Sequence, residues 1–275
     1  MPLELCILAS GSAGNAAIVR SPAGVLLIDA GIGPRTLARR LDSTGVCLAD
    51  IAALCLTHLD RDHFSPSWEL TLGRRRIPIC CHANKVDELA RCAPTLATLL
   101  RPFDVSAFSP TDGLTCEPVP FAHDRLGSHG FVVDGAGCRI GYATDLGHVP
   151  SYFFDRFRDL DCIALESNYD PQMQADSARP WFLKRRITGG HGHLSNHQAL
   201  AAIRKLLNRS RRLPDHIVLL HRSQECNCPK LVRQLFSIDK RIASRLTLAH
   251  QHERTSWLGR TDRLSYVGEQ LMFSF

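Results

Sequence analysis

Aromatic residues and long apolar runs are both scarce in this chain. Phe, Trp and Tyr make up only 7% of its 275 residues, so aliphatic side chains must supply most of the core. No apolar run approaches 18 residues, so we expect no membrane span. The first residues lack the basic start and apolar run of an export signal, so we expect a cytoplasmic protein.

The eleven cysteines do not have the spacing of a zinc-finger site. No two of them stand three positions apart, and the close pairs Cys80–Cys81 and Cys226–Cys228 have neither the CxxC nor the longer spacing. Others, such as Cys55, lie inside apolar runs and are typical of small buried side chains in a reducing compartment. The formal net charge of +6 permits an anionic partner such as nucleic acid without requiring one.

The length and the order of elements indicate one large α/β domain over residues 1–275, with two small domains as the alternative. We find no repeat, low-complexity tract or linker. The segment after about residue 244 is polar, and we expect it to be peripheral.

Short apolar runs alternate with helical patterns along most of the chain. Ser195 and Gln198 form a capping-box pattern at the start of the clearest helix. The patterns predict strands at 5–8, 16–19, 25–29, 51–57, 77–80, 105–108, 131–133, 139–142, 162–165 and 217–220, and helices at 34–41, 67–72, 85–91 and 195–207.

Three of these strands deliver a potential metal ligand directly after their last residues. His58, Asp145 and His221 each follow a buried apolar strand. In α/β proteins, ligands collect at the carboxyl ends of the strands, so we expect these side chains to meet.

The segment Thr57-His58-Leu59-Asp60-Arg61-Asp62-His63 places four potential ligands within six residues. Imidazole and carboxylate suit Zn, Fe and Mn. Two of each exceed the three protein ligands of a mononuclear catalytic zinc, which indicates two metal ions. The alternative is a polar turn with solvated charges.

This segment resembles the HxHxDH signature of the metallo-β-lactamase superfamily, with Asp60 where the second His usually stands. Later segments resemble the superfamily's other motifs in the same order. These are Phe121-Ala122-His123-Asp124, Gly141-Tyr142-Ala143-Thr144-Asp145-Leu146-Gly147 and Leu219-Leu220-His221-Arg222-Ser223. The resemblance implies the four-layer αββα sandwich of that superfamily.

Further runs are similar to the YycJ/WalJ-like group of this superfamily, whose members are described as nuclease-like, some of them as double-stranded DNA exonucleases. The runs are 8–15, 143–147, 165–170, 192–196 and 221–227, and the likeness covers roughly residues 5 to 235. The spacing between Asp145 and His221 leaves no room for the β-CASP insertion of ribonuclease J.

The resemblance implies a ligand set and a mechanism. Asp145 would bridge two divalent ions, with Zn favoured, while the harder oxygen of Asp60 leans the choice toward Mn or Fe. Asp62 would also orient the attacking hydroxide, and His193 would protonate the leaving oxygen; the alternative for His193 is a structural role beside a helix cap. The first ion would be held by His58, Asp60 and His123, and the second by Asp62, His63 and His221.

The nuclease hypothesis makes the basic residues Lys184, Arg185, Arg186 and Arg222 candidate phosphate contacts, although such runs are usually only solvated. Two other functions stay open. The same metal site serves small-molecule hydrolases acting on lactones, thioesters or cyclic nucleotides. With Asp60 as a first sign of decay, the chain would instead be a non-catalytic nucleic-acid-binding module.

Overall fold

Two β-sheets dominate the computed structural model, which describes residues 3–260. The first has seven strands in the order β13-β1-β2-β3-β4-β5-β6, and the second has six in the order β12-β11-β10-β9-β8-β7. The strands are β1 (Glu4–Ala9), β2 (Ala16–Ser21), β3 (Gly24–Ile28), β4 (Ile51–Cys55), β5 (Ile79–His82), β6 (Leu100–Phe103), β7 (Thr115–Phe121), β8 (Ser128–Gly135), β9 (Cys138–Ala143), β10 (Cys162–Glu166), β11 (His216–Leu220), β12 (Leu246–Leu248) and β13 (Leu258–Gly259).

Helices cover the outer faces of both sheets. The α-helices are α1 (Pro34–Leu41), α2 (Glu69–Arg75), α3 (Val86–Cys92), α4 (Phe153–Arg156), α5 (Pro171–Asp176), α6 (Trp181–Thr188), α7 (Asn196–Arg209), α8 (Pro229–Phe236) and α9 (Lys240–Ala243). Leu37 of α1 and Leu72 of α2 pack on the first sheet, while Ile203 of α7 and Phe236 of α8 pack on the second. This is the predicted αββα sandwich.

A separate apolar layer joins the inner faces of the two sheets. Ile7 and Ile28 of the first sheet share this layer with Phe131, Ile140 and Val218 of the second, and all five side chains are fully buried. Aliphatic side chains supply most of it, as the shortage of aromatic residues predicts.

Strand direction brings the ends of both sheets to one edge of the sandwich. β3 and β4 run parallel in the first sheet, and β9, β10 and β11 run parallel in the second. β7 runs in the same direction as β9, because both are antiparallel to β8. Residues that follow these strands therefore emerge together, and the predicted metal ligands follow β4, β7, β9 and β11.

The strand prediction is wrong between residues 100 and 121. The predicted strand at 105–108 forms only an isolated bridge between Phe108 and Cys116, while β6 and β7 were not predicted. These two strands contain Pro102, Pro118 and Pro120, and each lies at the edge of its sheet. An edge strand tolerates proline because it needs no hydrogen-bonded neighbour on its outer side. The predicted capping box at Ser195 and Gln198 is confirmed.

The segment after residue 244, expected to be peripheral, packs on both sheets as far as the structure describes it. β12 pairs with β11, β13 pairs with β1, and Ile7 donates its backbone N–H to Thr255 Oγ1 at 3.0 Å. These strands of three and two residues are too short to carry an apolar pattern. Residues 261–275 lie outside the described part of the chain. Among residues 3–260, no helix has the length and apolarity needed to cross a membrane.

Candidate metal centre

The loop that carries His58 to His63 is anchored on a buried carboxylate. Asp29 directly follows β3 and is fully buried. Its Oδ1 accepts hydrogen bonds from the backbone N–H of Thr57 at 2.9 Å and from the Thr57 hydroxyl at 3.0 Å. Its Oδ2 lies 2.7 Å from Nδ1 of His63. One side chain therefore holds both ends of the ligand-rich segment.

All four predicted imidazole ligands use Nδ1 for contacts within the protein. His58 Nδ1 lies 2.9 Å from Thr57 Oγ1, and His63 Nδ1 contacts Asp29. His123 Nδ1 donates to the carbonyl oxygen of Gly192 at 3.0 Å. Partners of this kind fix the ring orientation and leave the Nε2 lone pair for a metal ion.

His221, which follows a strand of the second sheet, is also held through Nδ1. Its Nδ1 lies 3.1 Å from Oε1 of Glu166, and its Nε2 lies 3.4 Å from Oδ2 of Asp62. The Nε2 atoms of His58, His63 and His123 likewise face carboxylates, at 3.0–3.8 Å. The donor set thus has the composition and orientation of a site for divalent metal ions.

Asp62, His63 and His221 form one half of this site. Asp62 Oδ2 lies 3.6 Å from His63 Nε2 and 3.4 Å from His221 Nε2. Two atoms that bind one tetrahedral zinc at about 2.1 Å lie roughly 3.4 Å apart. These three side chains, predicted together as holders of the second ion, are spaced to bind one ion.

His58, His123 and Asp145 form the other half, with ligand atoms within 4.8 Å of one another. Asp145 Oδ2 also lies 3.0 Å from His63 Nε2, so this carboxylate stands between the two halves, as a bridging ligand must. Asp60 lies at the outer side, with Oδ2 at 3.8 Å from His58 Nε2 and 49% of its side chain exposed. It groups with His123 and the unpredicted Asp124.

Neighbouring charged groups shift the pKa values of His63, His221 and Asp145 in the direction that favours their charged forms. Burial lowers the pKa of His63, but Asp29 and Asp145 raise it further, to well above its usual value. Burial acts the same way on His221, yet Asp145 and neighbouring carboxylates raise its pKa to about 10. Burial raises the pKa of Asp145, but His221 and His63 lower it to well below its usual value. The carboxylates and imidazoles therefore stabilise each other's charged forms, and binding of a metal ion would release the protons of His63 and His221.

Sequence reasoning missed Glu166, the last residue of β10. This fully buried carboxylate accepts hydrogen bonds from His193 Nδ1 at 2.7 Å and from the backbone N–H of Leu194 at 3.0 Å, besides its contact with His221. It therefore positions one predicted ligand and the predicted proton donor together. A position directly after a buried apolar strand is the one signal that points to Glu166, as it does to Asp29.

His193 lies between the two halves of the site. Its ring centroid is 5.2 Å from that of His123 and 5.1 Å from that of His221. With Nδ1 held by Glu166, its Nε2 is the atom left for a ligand in the cavity. Burial lowers the pKa of His193, but Glu166 outweighs this and raises it overall.

Three of the polar residues at the strand ends have left-handed backbone. The φ angles are +59° at Asp29, +54° at Asp145 and +50° at His221. Residues other than glycine rarely adopt this conformation, and each instance costs on the order of 1–3 kcal/mol. Packing of the surrounding sandwich must offset this cost at the three positions, where the left-handed turn directs the side chain toward the metal centre.

A cavity of about 440 Å³ opens over the metal centre. Arg179 and Arg186 are its basic wall residues, and each is paired, Arg179 Nε with Glu225 at 2.9 Å and Arg186 with Asp124 at 2.6 Å. The remaining wall residues are Ser12, Asp60, Asp62, His123, Asp124, Asp145, Leu183, Ile187, Gly192, His193, His221 and Glu225.

The other predicted phosphate contacts lie away from this wall. Lys184 donates its amine to the carbonyl oxygen of Ala175 at 2.6 Å, and Arg185 is exposed on α6. Arg222 is half-buried, and within residues 3–260 its Nε has no hydrogen-bond partner. Of the four predicted residues, Arg186 alone lines the cavity.

Comparisons with known proteins agree with this geometry. The family described as the beta-lactamase superfamily domain matches residues 25–217. The chain is 25% identical over 242 residues to Exodeoxyribonuclease YycJ of Bacillus anthracis, covering 86% of this chain and 89% of that protein. It is 27% identical over 233 residues to Exodeoxyribonuclease WalJ of Streptococcus pneumoniae serotype 2, covering 82% and 83%.

Among solved structures, a diphosphatase of the PhnP family superposes with a TM-score of 0.67. The alignment covers 94% of this chain and 99% of that one, at 17% sequence identity. Identity at this level supports the shared fold alone.

Proposed function

The chain belongs to the beta-lactamase superfamily, and from this premise we propose that it is a dinuclear metal-dependent phosphodiesterase that acts on nucleic acid as a DNA exonuclease. One observation carries the proposal: four imidazoles have Nδ1 engaged within the protein and face carboxylates through Nε2. His63 faces Asp145, His221 faces Asp62, and His58 and His123 face Asp60 and Asp124. Similarity to two exodeoxyribonucleases over more than four fifths of the chain supports the substrate class.

Asp145 would bridge the two ions of this centre. When bound, the ions would lower the pKa of a water molecule and neutralise charge on the phosphodiester. Asp62, one of the residues that would hold the second ion, lines the cavity, where its carboxylate would also orient the attacking water. The first ion would be held by His58, Asp60, His123 and Asp145, and the second by Asp62, His63, His221 and Asp145.

The pair of Glu166 and His193 supplies the proton for the leaving oxygen. Glu166 holds Nδ1 of His193 and keeps the imidazolium form, so that Nε2 carries a proton toward the cavity. After transfer, the neutral imidazole regains a proton from solvent, to which 20% of its side chain is exposed.

Asp60 bears on the choice of metal. A carboxylate in place of an imidazole adds negative charge and a hard oxygen to the first half-site. Zinc suits the imidazoles of the second half-site, and we propose it as the principal metal, with Mn or Fe as the alternatives that Asp60 favours. We also propose a cytoplasmic location, which the eleven free cysteines support because they are typical of a reducing compartment. The proposed enzyme is one domain over residues 1–275.

The proposed function is tested with end-labelled DNA. Protein loaded with Zn or Mn is incubated with blunt duplex, single-stranded DNA and RNA, and the products are resolved on denaturing gels. We expect stepwise shortening of DNA from an end, abolished by a chelator and restored by the metal. Metal-loaded protein that cleaves none of these and no ester would instead support the non-catalytic binding module.

A second candidate is a small-molecule hydrolase, which the volume of the cavity favours. About 440 Å³ lies within the range of small-ligand pockets, and the two wall arginines are already paired with carboxylates. A panel of lactones, thioesters and cyclic nucleotides tests this candidate in parallel. Turnover of one of them with no shortening of nucleic acid would replace the nuclease proposal.

His193→Gln is expected to lower kcat for DNA by about 10²- to 10⁴-fold without loss of bound metal. The loss should be much smaller for bis(p-nitrophenyl) phosphate, because its leaving group needs no proton. Steady-state rates on both substrates and elemental mass spectrometry measure the effect. His197→Gln, an exposed position on α7, is the control. Equal losses on the two substrates would contradict the role of proton donor.

A further inference from the structure

An exposed pair of aromatic side chains stands beside the metal cavity. Trp181 and Phe182, the first residues of α6, are 71% and 63% exposed. The chain has only three tryptophans; Trp68 is fully buried, and Trp257 packs under the Arg20 guanidinium at 4.1 Å. Large aromatic surface left in solvent commonly marks a binding site.

The rest of α6 fixes this pair at the rim of the cavity. Leu183 and Ile187 pack against Tyr169 and also line the cavity wall. On a helix, residues four apart lie on the same side. Phe182 therefore precedes the cavity residue Arg186 by one turn, and Trp181 precedes Arg185 in the same way.

The charged residues of the segment that carries the pair are all basic, although Arg179 and Arg186 form ion pairs with Glu225 and Asp124 of other segments. Residues 177–192 include Arg179, Lys184, Arg185 and Arg186, and no acidic residue. A second copy of this chain docked through the same face would oppose these cations to their own copies, so charge disfavours that occupant. An anionic strand whose bases offer flat faces suits both the charge and the aromatic rings.

We propose that α6 is a stacking platform for unpaired bases at the end of a nucleic-acid strand that enters the metal cavity. Trp181 and Phe182 stack on the bases, and Arg185 contacts the backbone phosphates. The ion pair between Arg186 and Asp124 is exposed on the arginine side, so it is weak enough for a phosphate to replace the carboxylate. This inference rests on the proposed function and names how its substrate is held.

The test is binding of a fluorescent phosphorothioate oligonucleotide, which resists hydrolysis, to the metal-loaded protein. Trp181→Ala and Phe182→Ala are each expected to raise Kd for the single strand at least about fivefold, and a blunt duplex is expected to be affected less. Trp181→Phe should restore most of the affinity. Ile238→Ala, which also removes an exposed apolar side chain, is the matched control and should leave Kd unchanged.

Two further readouts separate the outcomes. Both alanine variants should hydrolyse bis(p-nitrophenyl) phosphate at close to the wild-type rate, because this substrate fits within the metal cavity, whose wall includes neither Trp181 nor Phe182. If the wild type binds DNA but the double alanine variant binds equally well, the platform is wrong and the nuclease proposal stands. If the alanine variants change oligomeric state but keep the wild-type Kd for DNA, α6 is a contact surface between two copies of this chain and the platform is wrong. If the wild type binds no nucleic acid, both proposals fail.

Discussion

Asp145→Asn is expected to reduce bound metal from about two ions per chain to fewer than one, and to lower kcat/KM on DNA by about 10³-fold or more. The Asp145 carboxylate reaches both halves of the centre: its Oδ2 lies 3.0 Å from His63 Nε2 in one half, and it offers a ligand atom within 4.8 Å of those of His58 and His123 in the other. Without its negative charge, neither ion retains a complete ligand set. Elemental mass spectrometry and cleavage of end-labelled DNA measure the two effects.

The asparagine preserves the volume of a side chain that is 2% exposed, so the effect on metal is separated from the effect on packing. Asp112→Asn, at an exposed position, is the control for loss of one carboxylate. The melting temperature of the wild type should fall when a chelator is added, because bound metal stabilises the folded state. That of the Asp145 variant should change little, because the variant holds little metal to lose. A variant that keeps two ions and a chelator-sensitive melting temperature would rule out the bridging position.

Gly31→Ala is expected to damage the metal centre although it removes no ligand. A Cβ at this position would stand 1.7 Å from the backbone oxygen of Asp62 and 2.7 Å from the backbone nitrogen of Asn15. Those two atoms form a hydrogen bond of 2.7 Å that holds the ligand loop. The loop must move as a whole, because the obstacle is backbone and cannot rotate away.

We expect metal affinity to fall about 10- to 100-fold and the free energy of unfolding to fall by about 1–3 kcal/mol. Metal titration with a competing chelator and urea unfolding measure these changes. Gly73→Ala is the matched control, since the nearest atom to its new Cβ is Leu96 Cδ2 at 4.0 Å in a helix. It should be neutral or stabilise by up to about 1 kcal/mol. If Gly31→Ala bound metal as tightly as the wild type, the predicted clash between its Cβ and the backbone of Asp62 would be wrong.

The sequence indicates the candidate ligands because each follows a buried strand or stands in a dense polar turn, and the structure brings these side chains together. It gives much less information on the residues that support them. Glu166 directly follows the predicted strand at 162–165, but its partners His193 and His221 lie 27 and 55 positions away. No local pattern encodes such contacts, since they arise only when parallel strands align their ends.

Helix α6 is absent from the prediction for a related reason. An amphipathic helix is recognised because its apolar residues share one side, and Trp181 and Phe182 break this rule by facing solvent. The two exposed aromatic residues therefore obscure the apolar side of the helix, which Leu183 and Ile187 form. The left-handed backbone at Asp145 and His221 is equally hidden, because aspartate and histidine do not signal it as glycine does.

The division of the ligands between two sheets has a consequence for biosynthesis. His58 and His63 follow a strand of the first sheet, whereas Asp145 and His221 follow strands of the second. The nascent chain emerges from the ribosome N-terminal end first, so the complete ligand set does not exist until His221 has emerged and the sheets have docked. A metal centre built from these residues would therefore be completed only after most of the chain has been synthesised, and the divalent cations present where the chain folds would be the ones it meets first.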